Sequence, residues 1–306
     1  MEAYALRQRL GERERTGHSR SKKGGNEVGD KGELLRVRVS RGVLFVTIDN
    51  PPINLLTIQM ATEFLRLSQD AAADKEIRVI VFDSANPDFF IAHYDVAFLV
   101  QAPDEADDRK TVDFHDLNRA CEAFRRMPKV SIAKVEGRAR GGGSEFLMAL
   151  DMRFGAIGKA IVGQPELPLG ITPGAGGTQR LPRLIGVGRA MEVILGGGDL
   201  TAETAERYGY FNRALPAGEL GPFVDDLAFR IASHTPESIA LAKKAILAAT
   251  ELPLMEGLIE EASLSVRSLT LPSAKRRMNK FLELGGQTFE MELDWSRMVK
   301  ALGDVP

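Results

Sequence analysis

The stretch Val130-Ser131-Ile132-Ala133-Lys134-Val135, followed after a short link by Gly141-Gly142-Gly143-Ser144-Glu145, decides how this chain is read. Its first part is apolar and partly β-branched, which predicts a buried strand, and residues 145–150 predict an apolar helix. Glycines at a strand-to-helix junction let backbone N–H groups approach a ligand oxygen, where the helix's unpaired donors and dipole favour negative charge. The junction therefore offers an anion or oxyanion cradle. A glycine run alone also serves as a packing turn, so its surroundings carry the argument.

Upstream, residues 34–39 alternate, Arg41-Gly42 supplies a turn and 43–48 are apolar, which predicts a hairpin. Thr57 is placed to cap a helix over 57–72 through Met60, Ala61, Phe64, Leu65 and Leu67. Further strands are predicted at 79–82, 152–157, 160–162 and 211–215, and a helix at 105–127 carries Phe114, His115, Leu117, Cys121 and Phe124. Strands alternating with helices argue for an α/β layered fold. After about Gly218 only amphipathic helices follow, near 222–233, 236–249, 254–268, 273–284 and 289–302. Their Leu254, Met255, Leu258, Ile259 and Leu264 exceed what a small bundle hides, so a homo-oligomer is expected.

Of the 306 residues, 44% are hydrophobic and 27% charged, which excludes fibrous and wholly disordered classes. With 40 Lys and Arg against 42 Asp and Glu, no global field draws the molecule to nucleic acid or an acidic membrane. No apolar stretch is long enough to span a membrane. The one cysteine, Cys121, excludes an internal disulfide and suits a cytoplasmic location, and no cluster has metal-ligand spacing. Residues 1–32 are polar, with eight Lys or Arg and five acids up to Lys31, and are expected to be a disordered tail. Residues 33–218 form the expected core with the site, and 219–306 a helical region for packing and oligomerisation.

The glycine run has a companion in Gly163-Gln164-Pro165-Glu166, where Pro165 fixes the direction of the chain into a second carboxylate. A third segment, Pro173-Gly174-Ala175-Gly176-Gly177-Thr178-Gln179-Arg180-Leu181, lacks the spacing of a dinucleotide fingerprint, and neither run is followed by the Lys-Ser/Thr of a phosphate loop. In this order the three segments resemble the crotonase superfamily, the enoyl-CoA hydratase/isomerase family. Asn50-Pro51-Pro52-Ile53-Asn54 and Ala205-Glu206-Arg207-Tyr208-Gly209-Tyr210-Phe211-Asn212-Arg213 extend the resemblance over about 35–215. It implies an α/β fold, a crotonase-like spiral of ββα units with a C-terminal helical trimerisation region, assembled as a homo-trimer or dimer of trimers.

The implied chemistry is hydration of an enoyl-CoA thioester. Glu145 and Glu166 would be the paired acid and base, and the backbone N–H groups of Tyr94 and Gly142 the oxyanion hole. Ile53, Leu55, Ala92, His93, Asp95, Gly141, Pro165 and Gly174 would contact substrate. Coenzyme A arrives with the substrate, so no resident cofactor or metal is expected, and neither nucleic acid nor membrane is a partner. Alternatives within the resemblance are Δ3,Δ2-isomerisation, hydrolysis or decarboxylation of an acyl-CoA, and a non-catalytic binding protein. The chain departs from the family at His93, which stands where glycine is usual and would be strained if the position required a positive φ. It departs again at Lys280-Phe281-Leu282-Glu283, which shifts the expected grip on the coenzyme A phosphates to Lys275, Arg276 or Arg277. Ser144 lacks a Gly-x-Ser-x-Gly context, so a capping or packing role is expected.

Overall fold

A computed structural model describes residues 34–102 and 115–303; the expected tail at 1–32 and the first part of the helix placed at 105–127 lie outside these residues. The hairpin forms as read: β1 (Leu35–Ser40) pairs antiparallel with β2 (Val43–Ile48) around Arg41 and Gly42, both with positive φ, the geometry that matches the twist of paired strands. Thr57 caps α1 (Ile58–Ala73) by accepting from the Met60 N–H.

The chain then steps between two sheets. β3 (Val79–Ser84), β5 (Val130–Val135) and β7 (Met152–Ala156) are parallel members of a six-stranded sheet in the order β1-β2-β3-β5-β7-β10. After each comes a three-residue strand of a second sheet, β4 (Phe89–Ile91), β6 (Arg138–Arg140) or β8 (Ile161–Gly163), and β9 (Asp199–Thr201) completes its order β4-β6-β8-β9. Each strand pair leads into helix: α2 (Val96–Leu99) and α3 (Asp116–Arg126), then α4 (Gly142–Ala149), then α5 (Gly177–Ile185) and α6 (Val187–Gly196). This is the spiral of ββα units. α7 (Ala202–Tyr208) and β10 (Arg213–Leu215) close it.

Between the layers, Phe64 stacks on Phe146 at 4.2 Å, and Phe82 meets Phe146 and Phe124 edge-on at 5.2 Å. Such pairs add direction to apolar burial and fix α4 against the sheet. α8 (Ala217–Ala232) covers the other face of the large sheet, burying Leu220, Val224, Ala228 and Ala232 against Val43, Val79, Val81 and Ile132. It begins five residues before the 222 expected, with Pro222 inside it, because burying Leu220 and Val224 outweighs one missing helical hydrogen bond.

α9 (Pro236–Glu251), α10 (Leu254–Leu269) and α11 (Pro272–Glu283) follow close to expectation. The helix expected at 289–302 is two, α12 (Phe289–Leu293) and α13 (Trp295–Gly303), because the Asp294 carboxylate accepts from the Arg297 N–H and starts a new helix. The expected strand at 211–215 is confined to Arg213–Leu215, as Tyr210 and Phe211 turn their rings into the core. α9 is tied to the core by a buried ion pair. Lys243 Nζ donates to Asp151 Oδ2 at 2.8 Å and to the carbonyls of Phe124 and Lys129.

Candidate active site

Gly141 is the pivot. It has φ 50° and ψ −126°, a conformation that a side chain strains, and its N–H donates to the Gly163 carbonyl at 3.0 Å. That bond brings the end of β8 beside the start of α4. A Cβ on Gly141 would stand 2.9 Å from Glu166 Oε1 and 3.9 Å from the His93 Cβ, so glycine lets the second carboxylate and the 92–95 segment meet here. α4 starts at Gly142, three residues before the expected 145, because the glycines form its first turn.

The two carboxylates are held differently. Glu145, buried on the first turn of α4, accepts on Oε1 from the Ala175 N–H at 2.8 Å and the Gly177 N–H at 2.7 Å. Burial pushes its pKa up, opposed by those two amides and by Arg180. Glu166, also buried, opens the 3₁₀ turn Leu167–Leu169, and its Oε2 has no hydrogen-bond partner among the described residues. Burial, reinforced by the charge of Glu145, pushes it up to about 7. Both carboxyls are thus pushed upward, Glu145 against its two amides and Arg180, and Glu166 with the charge of Glu145 adding to burial.

Tyr94 and Gly142 adjoin each other. A Cβ on Gly142 would lie 3.4 Å from the Tyr94 Cβ and 3.7 Å from Leu117 Cδ2. The bridge between Leu56 and Tyr94 uses the His93 carbonyl and the Asp95 N–H, each at 2.9 Å, which turns the Tyr94 N–H away from Leu56. Gly142 is the first residue of α4, where an N–H has no partner within the helix. Tyr94 and Gly142 are thus neighbours at the start of α4.

The other expected residues divide. Ala92 is buried and His93 half-buried beside Gly141, and Ile53 and Leu55 are half-buried in the loop that Leu56 joins to Tyr94. Pro165 leads into Glu166 as read. Asp95 instead caps α2, accepting from the Ala97 N–H at 3.0 Å, and Gly174 is exposed, its carbonyl accepting from Asn118 Nδ2. The strain conditionally expected at His93 is absent: positive φ among the described non-glycine residues occurs at Arg41, Asn54 and Gln287. His93 Nδ1 lies 2.8 Å from the Tyr94 carbonyl, which can only accept, so the ring donates from Nδ1. Ser144 packs, its hydroxyl 2.8 Å from that of Tyr210. Arg277 donates to the Ser233 carbonyl at 2.7 Å.

The sequence reading missed Ala175 and Gly177 as the donors on Glu145, since a backbone donor has no residue-type signal. It also left Asn54 unassigned, although its side chain ties the loop to Ser84 Oγ at 2.8 Å and to the Phe89 and Phe90 carbonyls at 3.2 Å. A cavity of about 1660 Å³ between α3, α5 and α9 reaches Ala175, Gly176 and Arg180 but has neither carboxylate in its lining.

A family model described as enoyl-CoA hydratase/isomerase matches residues 38–292. The chain is 35% identical over 241 residues to a Dictyostelium discoideum protein named "Probable enoyl-CoA hydratase, mitochondrial", covering 78% of this chain and 84% of the relative. It is 30% identical over 246 residues to the short-chain-enoyl-CoA hydratase of Clostridium acetobutylicum, covering 79% and 91%. The crystal structure of an enoyl-CoA hydratase from Bacillus anthracis superposes with a TM-score of 0.75 at 30% identity, covering 82% of this chain and 96% of that one.

Proposed function

The chain belongs to the enoyl-CoA hydratase/isomerase family, and from that premise we propose that it is an enoyl-CoA hydratase, adding water across the 2,3 double bond of an acyl-CoA thioester. The observation that carries this reading is the unequal pair of buried glutamates, one with an oxygen fixed by two amides and the other pushed up to about 7 with an oxygen that has no hydrogen-bond partner among the described residues. Hydration needs a base for water and an acid for carbon at once. Double-bond isomerisation needs a single group that takes and returns one proton.

In this reading Glu145, as the ionised partner, takes a proton from water while the water oxygen bonds to C3. The electron pair of the double bond moves through C2 toward the thioester carbonyl, whose oxygen faces the Tyr94 and Gly142 N–H groups. These donors bind the enolate more strongly than the ground-state carbonyl, which lowers the barrier. Glu166 then gives its proton to C2, and the exchange leaves both carboxyl groups one proton transfer from their starting state. The protein supplies every group in this scheme without a resident cofactor.

The assembly read from the sequence belongs to the same proposal. Leu254, Met255, Leu258, Ile259, Val266 and Leu269 of α10 are exposed, which supports a homo-trimer or dimer of trimers through the helical region. The single, buried Cys121 suits a reducing compartment, and a cytoplasmic location completes the reading. No helix among the described residues is long and apolar enough to cross a membrane.

Incubation with a short trans-2-enoyl-CoA, following the conjugated absorbance and free thiol together, tests the activity. Loss of absorbance without thiol supports hydration; release of thiol assigns hydrolysis instead.

A further inference from the structure

The two amides that hold Glu145 belong to a turn gripped from its other side. Arg180, on α5, donates from Nη1 to the Ala175 carbonyl at 2.7 Å and from Nη2 to Glu122 Oε1 at 2.6 Å. The Ala175 N–H in the same residue is one of the donors on Glu145 Oε1. Gly176 makes room for this grip, since a Cβ there would overlap Arg180 Nη1. Glu122, on α3, is itself held. Arg125 donates to it at 3.0 Å and Arg126 at 3.2 Å, and against the upward push of burial these two guanidinium groups and that of Arg180 bring its carboxyl down to about 2, so it stays an anion throughout the working range. Arg125 in turn reaches Glu251 at the end of α9, at 2.6 Å. A chain of fork-shaped, charge-assisted bonds thus runs from the helical region to the carbonyl behind Glu145.

We propose that Arg180 is a positioning residue for the hydration: it fixes the 175–177 turn so that two amides meet Glu145 Oε1, and Glu122 fixes Arg180. This rests on the reading of Glu145 as the base. Arg180 also acts on Glu145 by charge. The groups facing Glu145 are Arg180 from α5, Glu166 from the 3₁₀ turn, Cys121 from α3 and Tyr210 before β10. Burial keeps Cys121, pushed up to about 12, and Tyr210 neutral, so Arg180 is the cation that, beside the two amides, opposes burial and favours the ionised base.

The test combines pH–rate profiles with an activity-independent titration of Glu145, read as the carboxyl infrared difference between each protein and its Glu145→Gln counterpart. Arg180→Met is expected to lower kcat about 100-fold with little change in KM, because a displacement of about 1 Å at a reacting group costs that much. It should also raise the Glu145 midpoint, moving the acid limb of kcat/KM up by about one pH unit. Arg180→Lys should return the limb toward wild type by restoring the charge, yet leave kcat reduced because an ammonium lacks the fork. Glu122→Gln should lower kcat in the same direction. An Arg180→Met protein with an unshifted midpoint and limb overturns the proposal; if that variant fails to fold, a wild-type kcat in both Arg180→Lys and Glu122→Gln overturns it. Should the wild type hydrate nothing, the functional reading fails, while the infrared midpoint still decides whether Arg180 governs Glu145.

Discussion

Gly141 and Glu166 are in such close approach that a single methyl on the glycine would stand 2.9 Å from the carboxylate's Oε1. The backbone of Gly141, at φ 50° and ψ −126°, is one that alanine adopts only under strain of about 1–3 kcal/mol. Gly141→Ala is therefore expected to lower kcat about 100-fold by displacing Glu166, and to reduce Tm, while leaving the large sheet intact. Turnover and circular dichroism on the same sample check both parts.

Removing either proton-transfer group should cost rate rather than binding. Glu145→Gln and Glu166→Gln are each expected to lower kcat by about 10²–10⁴ with smaller changes in KM, since the amide keeps the shape and loses the proton chemistry. Near-wild-type hydration in either variant would remove that residue from the scheme.

Glu166 also links pH to rate and stability. Its carboxyl is raised from 4.5 to about 7, so the folded protein holds a proton there that the unfolded chain releases between those values. The group's contribution to stability is present below about 4.5 and is lost as pH rises through about 7. The rate should fall above about pH 7 as the acid ionises, and Glu166→Gln should gain in Tm relative to wild type between pH 4.5 and 7, then hold that gain at higher pH. Thermal melts of both proteins from pH 5 to pH 9 measure the difference; a gap that closes with rising pH has the wrong sign.

His93 tethers the Tyr94 carbonyl, at 2.8 Å, without the backbone strain that a glycine replacement would relieve. His93→Gly is expected to lower turnover a few-fold, in line with the loss of one hydrogen bond worth about 1 kcal/mol, and to leave the limbs of the pH profile in place. A hundredfold loss with a near-neutral limb removed would make the imidazole an acid or base.

Lys243 and Asp151 form a buried pair between α9 and the core, at 2.8 Å. Lys243→Met strands the Asp151 carboxylate, and removing one partner of such a pair costs about 3–5 kcal/mol. Denaturant melts should show that loss, whereas an unchanged midpoint would mean that the pair is dispensable.

What the sequence reveals of this fold follows the length of its signals. The six-residue strands and the α1 helix announce themselves through apolar runs, a Thr57 cap and an Arg41-Gly42 turn. β4, β6 and β9 have three residues each, too short for a period, and Arg138–Arg140 even presents two charges, so β8, expected at 160–162, is the one strand of the second sheet legible before the chain is folded. Glu145 and Glu166 stand out because their glycine- and proline-framed segments come in the order that resembles the crotonase superfamily. The groups that tune them do not: Ala175 and Gly177 act through their amides, and Arg180 reads as part of a motif until its two bonds locate it. Asp95, expected at the substrate, also serves as a helix cap, a role that shows only once α2 is in place.

The most direct test is the fate of solvent oxygen. Turnover of a trans-2-enoyl-CoA in heavy-oxygen water, followed by mass spectrometry, should give an intact coenzyme A thioester with one heavy oxygen on C3, and Glu166→Gln should slow its formation by about 10²–10⁴. Heavy oxygen in a free carboxylate, or a shifted double bond with no label, would contradict hydration by the Glu145 and Glu166 pair.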